Sequence, residues 1–385
     1  MKDFTKPILQ SLLDIKQKNR SNLFSWRGQF SPQLIECLLS EYCIPGSVVL
    51  DPFVGSGTVL YESAAMSLTA FGFEINPSAW SFSKVYEFAN MEPSMREAVI
   101  TEFQSKIDGE FPNEAVPVDT VEERVSSIGL SIGDEAKVLC NALVVLLDLG
   151  LLEITNTLVQ SKFMALAEMV RRLPYSDKPI RVGLNDARLL PLHNECVDFT
   201  VTSPPYINVF NYHQNYRRSV EVLGWDVLRT ARSEIGSNRA NRGNRFCTVV
   251  QYCIDMAAAL QEVSRVLKQD GRAVFVVGYE SKVLGCPFYN SDIIERLAIL
   301  YGFDLVLRQK RTFKNRFGDI IREDILNLRR DSFSVERPVL VGRAVARESL
   351  SKAMGSVADK NRAFLMDAIS RVDSIEGTPI LKTGV

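Results

Sequence analysis

Histidine is nearly absent from this chain, with only His193 and His213 among 385 residues. The seven cysteines, at positions 37, 43, 140, 196, 247, 253 and 286, form no Cys-x-x-Cys pair. An odd, unpatterned set of thiols with so few imidazoles argues against a disulfide framework and against a zinc cluster, so no metal is expected. There is also no uninterrupted apolar run of about 18 residues, the length a membrane-spanning helix needs. The longest apolar stretch, "ALVVLLDLGLL", is broken by Asp148 and suits a buried helix. The opening "MKDFTKPILQSLLDIKQKNR" lacks the apolar core and small-residue cleavage site of a secretory signal. A cytoplasmic protein without membrane contact is expected. Net charge is only −1, which removes any global basic signature of a nucleic-acid binder.

What remains is an ordinary globular composition, long enough for one large domain with insertions or for two domains. Its local charge is less ordinary. Between Phe210 and Val250 stand seven arginines (217, 218, 229, 232, 239, 242 and 245) against three acids, Glu221, Asp226 and Glu234. From Arg308 to Arg330 there are eight Lys or Arg against three acids.

The periodicity predicts a helix over "SPQLIECLLSEYC", with Ser31 as N-cap and Pro32 in the first turn. Pro45-Gly46 turns the chain into a short buried strand, "SVVLD". After "PFVGSG" come a helix, "TVLYESAAMSL", and a strand, "TAFGFEI", closed by Asn76-Pro77. Strand, glycine loop, helix and strand in that order begin a parallel α/β sheet. Residues 81–179 read as a mostly helical insertion. Strands resume at "PIRVGL" and "CVDFTVT". A helix, "TVVQYCIDMAAALQEVSRVLK", is expected to end at Asp270-Gly271 before the strand "RAVFVVG". "FDLVLRQKR", "EDILNLRR" and "RPVLVGR" read as closing strands, and the tail beyond about Ala344 as helical and peripheral. The expected division is 1–80 and 180–345 as two halves of one α/β domain, 81–179 as the insertion, and 346–385 as the tail.

Two strand-end loops carry the chemistry. In "VVLDPFVGSGTVL", Gly55 and Gly57 let backbone approach a ligand without a Cβ in the way, and the next helix offers free N–H groups. Glu74 follows Asp51 by 23 residues, about where a ribose-binding acid stands in a nucleotide fold. The loop is neither a phosphate-binding GxxxxGK[ST] loop nor a GxGxxG dinucleotide turn, since Leu60 occupies the third glycine's place. Asp51 either organises this loop or touches the ligand. The second loop is "TSPPY", Thr202 to Tyr206. Prolines 204 and 205 fix the backbone, so that the Pro204 carbonyl can be aimed as an acceptor beside Ser203 Oγ. Tyr206 offers a flat ring. Two acceptors beside an aromatic plane suit the exocyclic amino group of a nucleobase, whose ring stacks for about 1–3 kcal/mol. His213 has no partner visible in the sequence and is expected at the surface or bonded to backbone.

Together "DPFVGSGT", Glu74 and "TSPPY" resemble the amino-methyltransferases of DNA, which carry a methyl group from S-adenosylmethionine to cytosine N4 or adenine N6. "FSWRGQFSPQL" is similar to that family's Phe-containing segment around the methionine end of the cofactor, and "GLNDARLLP" to its third motif. The resemblance covers about residues 24–80 and 180–345. It implies a Rossmann-like, seven-stranded class I methyltransferase sheet, α/β in class, with a mostly helical insertion. It carries cofactor contacts onto Phe30, Asp51, Pro52, Phe53, Gly55, Gly57, Thr58, Glu74, Asn76, Asp186 and Ala187, with Asp186 accepting from the adenine amino group. Catalysis falls to Ser203, Pro204, Pro205 and Tyr206. Cytosine-N4 members mostly carry Ser where adenine-N6 members carry Asp or Asn, so Ser203 points to cytosine N4 in a flipped base. Double-stranded DNA is the implied partner, with Arg217, Arg218, Arg239, Arg242 and Arg245 as phosphate contacts. A cognate restriction endonuclease or defence-system subunit is a further implied partner. Adenine-N6 methylation, RNA methylation and a non-catalytic DNA-binding subunit are the alternatives.

Overall fold

A computed structural model of the chain describes residues 3–16, 18–26, 28–112, 120–150, 154–207, 212–236, 241, 243–314 and 318–382. Its main sheet contains β1 (Val48–Asp51), β2 (Thr69–Glu74), β3 (Ile180–Leu184), β4 (Val197–Thr202), β5 (Leu267–Gly278), β8 (Phe303–Lys314) and β9 (Ile320–Arg330). A separate hairpin pairs β6 (Ser281–Val283) with β7 (Cys286–Phe288). The main sheet runs β3-β2-β1-β4-β5-β9-β8. The first five strands of that order are parallel, while β9 lies antiparallel to both β5 and β8. Sequence order reverses between β1 and β4, which makes their carboxyl ends the natural binding crevice of such a sheet. This is the seven-stranded α/β fold expected from the resemblance.

Both faces of the sheet are covered, which is why its inner strands are apolar without alternation. Along β1 and β5 successive side chains point to opposite layers. Val49, Val274 and Val276 join one core cluster, Leu50, Phe275 and Val277 the other. Helices Pro32–Tyr42, Thr58–Ala65 and Pro77–Lys84 bury Leu34, Val59 and Phe82 on the first face. Helices Cys247–Val266, Asn290–Leu300 and Pro338–Ala353 bury Tyr252, Ile294 and Val345 on the second.

Residues 81–179 contain helices Pro93–Glu110, Val121–Ser131, Asp134–Leu147 and Asn156–Arg171, and no strand element among the described residues. Their anchor is Arg96, 1% exposed. Its guanidinium donates to the carbonyls of Ala89, Met91, Val170, Leu173 and Pro174. Both ends of the insertion are thereby closed around one side chain.

Three expectations about the C-terminal half need correction. "RPVLVGR" is no strand but the start of helix Pro338–Ala353, with Pro338 at a first-turn position where its missing N–H costs nothing. Val341, Val345, Ala346 and Leu350 bury at helical spacing. A Cβ at Gly342 would come within 2.5 Å of Ile254 Cα, so the helix packs tightly against its neighbour. The helix before β5 ends at Val266, and "LKQDG" already belongs to the strand, with Asp270 at φ +60° and a register shift against β4. The tail is helical but not peripheral. Leu365, Ala368 and Val372 are fully buried, and Thr378 to Leu381 bond to Arg188, Asp186 and Asp255. The boundary at 345 falls inside a helix.

The two loop glycines are not equivalent. Gly57 stands at φ +96°, and a Cβ there would overlap the Tyr86 ring. Gly55, at φ +52°, leaves room, with Trp26 Cδ1 at 3.5 Å from the same added atom. Gly57→Ala is therefore expected to cost about 3 kcal/mol, from a left-handed backbone plus overpacking, and Gly55→Ala about 1 kcal/mol. Denaturant unfolding of both variants checks this; equal losses would contradict it.

Candidate functional site

The register of β1 on β4, Val49 opposite Phe199 and Leu50 opposite Thr200, sets the two loops side by side. Thr202 Oγ1 donates to Asp51 Oδ1 at 2.6 Å, and Phe53 N donates to the same oxygen at 3.1 Å. Asp51 is 1% exposed, and burial pushes its carboxyl up to about 7. It does not line the cleft described below. Asp51 thus organises the loops, tying the end of one strand to the end of the other.

Glu74 closes the glycine loop from the far side. Its Oε2 accepts from Gly55 N at 3.0 Å, and its Oε1 from Ile75 N and Asn76 N at 2.9 Å each. Burial outweighs those three N–H groups and raises its carboxyl to about 7. Asn76 then caps the next helix by accepting from Ser78 N and Ala79 N. The N-terminal segment is fastened over the loop: Thr58 Oγ1 donates to Asn22 Oδ1 at 2.8 Å, and Asn22 Nδ2 to the Phe30 carbonyl at 2.8 Å. Gln29 Oε1 accepts from Ser56 Oγ and Trp26 N.

Between these parts lies a cleft of about 880 Å³, partly open to solvent. Of the residues singled out in the sequence, Phe30, Pro52, Phe53, Gly55, Thr58, Glu74, Asn76, Asp186, Ala187, Ser203 and Pro205 line it. Asp51, Gly57, Pro204 and Tyr206 do not. For Gly57 the structure replaces ligand approach by packing on Tyr86. Tyr206 also differs from expectation. Its ring lies on Gly278, where a Cβ would come within 2.9 Å, and its hydroxyl is 3.5 Å from Ser203 Oγ. The ring braces the corner, while Trp26 and Tyr212 supply aromatic wall, their rings stacked at 6.4 Å.

Asp186 lines the cleft with a saturated carboxylate. Oδ1 accepts from Arg188 N and Nε, and Oδ2 from Arg188 Nη2 and Leu381 N. With about four lone-pair sites on a carboxylate, none is left for an adenine amino group. Arg188 also donates to Asp255 Oδ1 at 2.8 Å, so the tail, this wall and helix Cys247–Val266 share one buried network.

His213 is not at the surface. It is buried, with Nδ1 2.7 Å from Glu234 Oε2, and Glu234 lines the cleft. In the sequence Glu234 is only one acid in a basic stretch, and twenty-one residues of separation hide the pair. Two of the arginines are paired with acids. Arg217 pairs with Glu221 at 2.8 Å, and Arg218 pairs with Glu122 of the insertion. Arg245 buries an Nε that has no partner among the described residues. Arg239 and Arg242 lie outside the described residues. No described helix is long and apolar enough to cross a membrane.

Asp51 and Glu74 titrate near 7 when folded, above their ordinary 3.8 and 4.5. The folded chain therefore binds protons more tightly than the unfolded chain. Their contribution to stability is fully present below about pH 4 and is lost as pH rises through about 7. Glu74→Gln is expected to flatten the fall in stability between pH 5 and pH 8. Unfolding curves at both pH values check this; an unchanged slope would contradict it.

Residues 5–84 match a family model described as DNA methylase. The Type II methyltransferase M.MjaII of Methanocaldococcus jannaschii is 34% identical over 62 residues, 16% of this chain. That match spans only 12% of the relative's length. Among solved structures, a SAM-dependent methyltransferase from Methanosarcina mazei aligns at 11% identity and a TM-score of 0.37, covering 76% of this chain and 96% of that one. The rRNA methyltransferase aviRa from Streptomyces viridochromogenes aligns at 11% identity and 0.34, covering 80% and 89%. Superpositions this loose carry no functional argument.

Proposed function

We propose, for a chain whose residues 5–84 resemble the N4/N6 amino-methyltransferases of DNA, the transfer of a methyl group from S-adenosylmethionine to the exocyclic N4 of cytosine. The observation that carries this reading is the bond from Thr202 to Asp51, which seats the Ser203 corner beside the glycine loop over one cleft. The residues present fit the cofactor. Gly55 keeps the loop open to close approach, and Phe30, Phe53, Ile75 and Ala187 offer apolar walls to an adenine ring and a thioether chain. Glu74 stands at the end of β2, within reach of a ribose.

S-adenosylmethionine, when bound, supplies a methyl group on a positively charged sulfur. This chain's residues prepare the nitrogen that receives it. The amino nitrogen of cytosine is a poor nucleophile because its lone pair is conjugated into the ring. Ser203 Oγ, at the cleft wall, accepts from one of its N–H groups and favours a tetrahedral nitrogen whose lone pair is free. On accepting the methyl group the nitrogen would shed its surplus proton to solvent. Such preorganised polar contacts are typically worth about 10²–10³ in turnover.

Serine at 203 favours cytosine N4 over adenine N6, the second reading on the same machinery. The base reaches the cleft by flipping out of double-stranded DNA, at a cost of a few kcal/mol. Arg217, Arg218 and Arg245 hold the flanking phosphates. Exposed pairs such as Arg217–Glu221 are worth only about 0–1 kcal/mol, so phosphate can replace the carboxylate. The setting we assign is a cytoplasmic modification enzyme of a restriction or defence system.

Ser203→Ala is expected to lower the rate of methyl transfer to unmethylated DNA by about 10²–10³-fold, with the Kd for S-adenosylmethionine within about threefold of wild type. Transfer of labelled methyl and calorimetric titration read the two quantities. Unchanged turnover would overturn the role of the corner, and transfer to RNA but not DNA would overturn the substrate.

A further inference from the structure

The cleft is lined by three acids and, among the described residues, by no Lys or Arg. Of its three lining acids, Asp186 is neutralised by Arg188. Glu74 and Glu234 have no Lys or Arg partner among the described residues, and Glu234 pairs instead with His213. Glu74 at least accepts from the backbone N–H groups of Gly55, Ile75 and Asn76. Glu234 is the odd member. It is 5% exposed, His213 Nδ1 engages Oε2, and Oε1 is buried without a hydrogen-bond partner among the described residues. An enclosed carboxylate oxygen with nothing to accept from is costly, and among the described residues no group supplies what this one lacks.

Position says which end of the cleft this is. Two residues beyond Glu234, Gly236 packs on the carbonyl of Tyr206, where a Cβ would come within 2.7 Å. Glu234 therefore sits beside the Ser203–Tyr206 corner, with Ser203, Pro205 and Tyr212 in the same wall. A methyl group delivered to an amino nitrogen held by Ser203 must come from a sulfur at this end. That sulfur is cationic before transfer and a neutral thioether afterwards.

We propose that Glu234, oriented by His213, is the counter-charge for the sulfonium, and so sets the preference for cofactor over spent product. This rests on the cofactor reading given above. A carboxylate as buried as that of Glu234 attracts a nearby cation more strongly than it would in bulk water, while a neutral thioether gains nothing from it. Glu234 is thus a specificity residue that lets S-adenosylhomocysteine leave once the charge is gone. His213 is a positioning residue that acts through it.

The test is a pair of calorimetric titrations, with S-adenosylmethionine and with S-adenosylhomocysteine, on wild type and Glu234→Gln. The variant is expected to cut the preference for S-adenosylmethionine about tenfold, with S-adenosylhomocysteine affinity within about threefold of wild type. His213→Gln should move the same ratio in the same direction by less. If Glu234→Gln lost both ligands equally, or left the ratio unchanged, the sulfonium role would be overturned while the cofactor reading stood. If wild type bound neither ligand, both would fall. Should the variant fail to fold, sinefungin on wild type answers the same question. A protonated amine in place of the sulfonium should bind more tightly than the thioether, and equal affinities would overturn the proposal.

Discussion

A single buried hydrogen bond, Thr202 Oγ1 to Asp51 Oδ1 at 2.6 Å, joins the two halves of the site. A buried hydrogen bond is worth about 1 kcal/mol net, enough to hold two loops in fixed relation but not enough to create that relation. The sheet creates it. Because β1 and β4 are parallel neighbours, their carboxyl ends emerge together, and the glycine loop and the Ser-Pro-Pro-Tyr corner face one cleft. Everything else supports that juxtaposition: Glu74 beneath Gly55, the N-terminal segment fastened by Asn22 to Thr58, and Tyr206 laid on Gly278.

The local chemistry of the site was legible in the sequence because it is written in short, continuous stretches. "DPFVGSGT" contains the strand end, the turn and the helix start, and Glu74 closes the next strand. What escaped depends on contacts between distant residues. His213 finds Glu234 across 21 residues, and Asp186 loses its lone pairs to Arg188 beside it and to Leu381 195 residues away. "RPVLVGR" has the β-branched look of a strand, and only its packing on Ile254, through Gly342, shows why a helix wins. Residue type alone also could not separate Gly55 from Gly57. Both lie in the left-handed region, but one faces the cleft and the other an aromatic ring.

Charge gives the cleft its character. Its acid-lined wall stands beside Arg217 and Arg218, each paired with an acid, in a chain that is nearly neutral overall. An acidic pocket next to a basic flank suits a cationic small molecule meeting a polyanion. The insertion adds its own weight to the flank, since Arg218 reaches Glu122 on it, and Arg96 bolts it to the core. A partner that competes for Arg218 would act on the insertion and the flank together.

The central claim is methyl transfer to the exocyclic nitrogen of cytosine in DNA. The most direct measurement is mass analysis of nucleosides from the DNA of a methylation-free host that expresses this chain. The expected result is N4-methylcytosine, absent from the same host without the chain. N6-methyladenine in its place would contradict the choice of base while leaving the corner chemistry intact, and no modified base at all would contradict the claim itself.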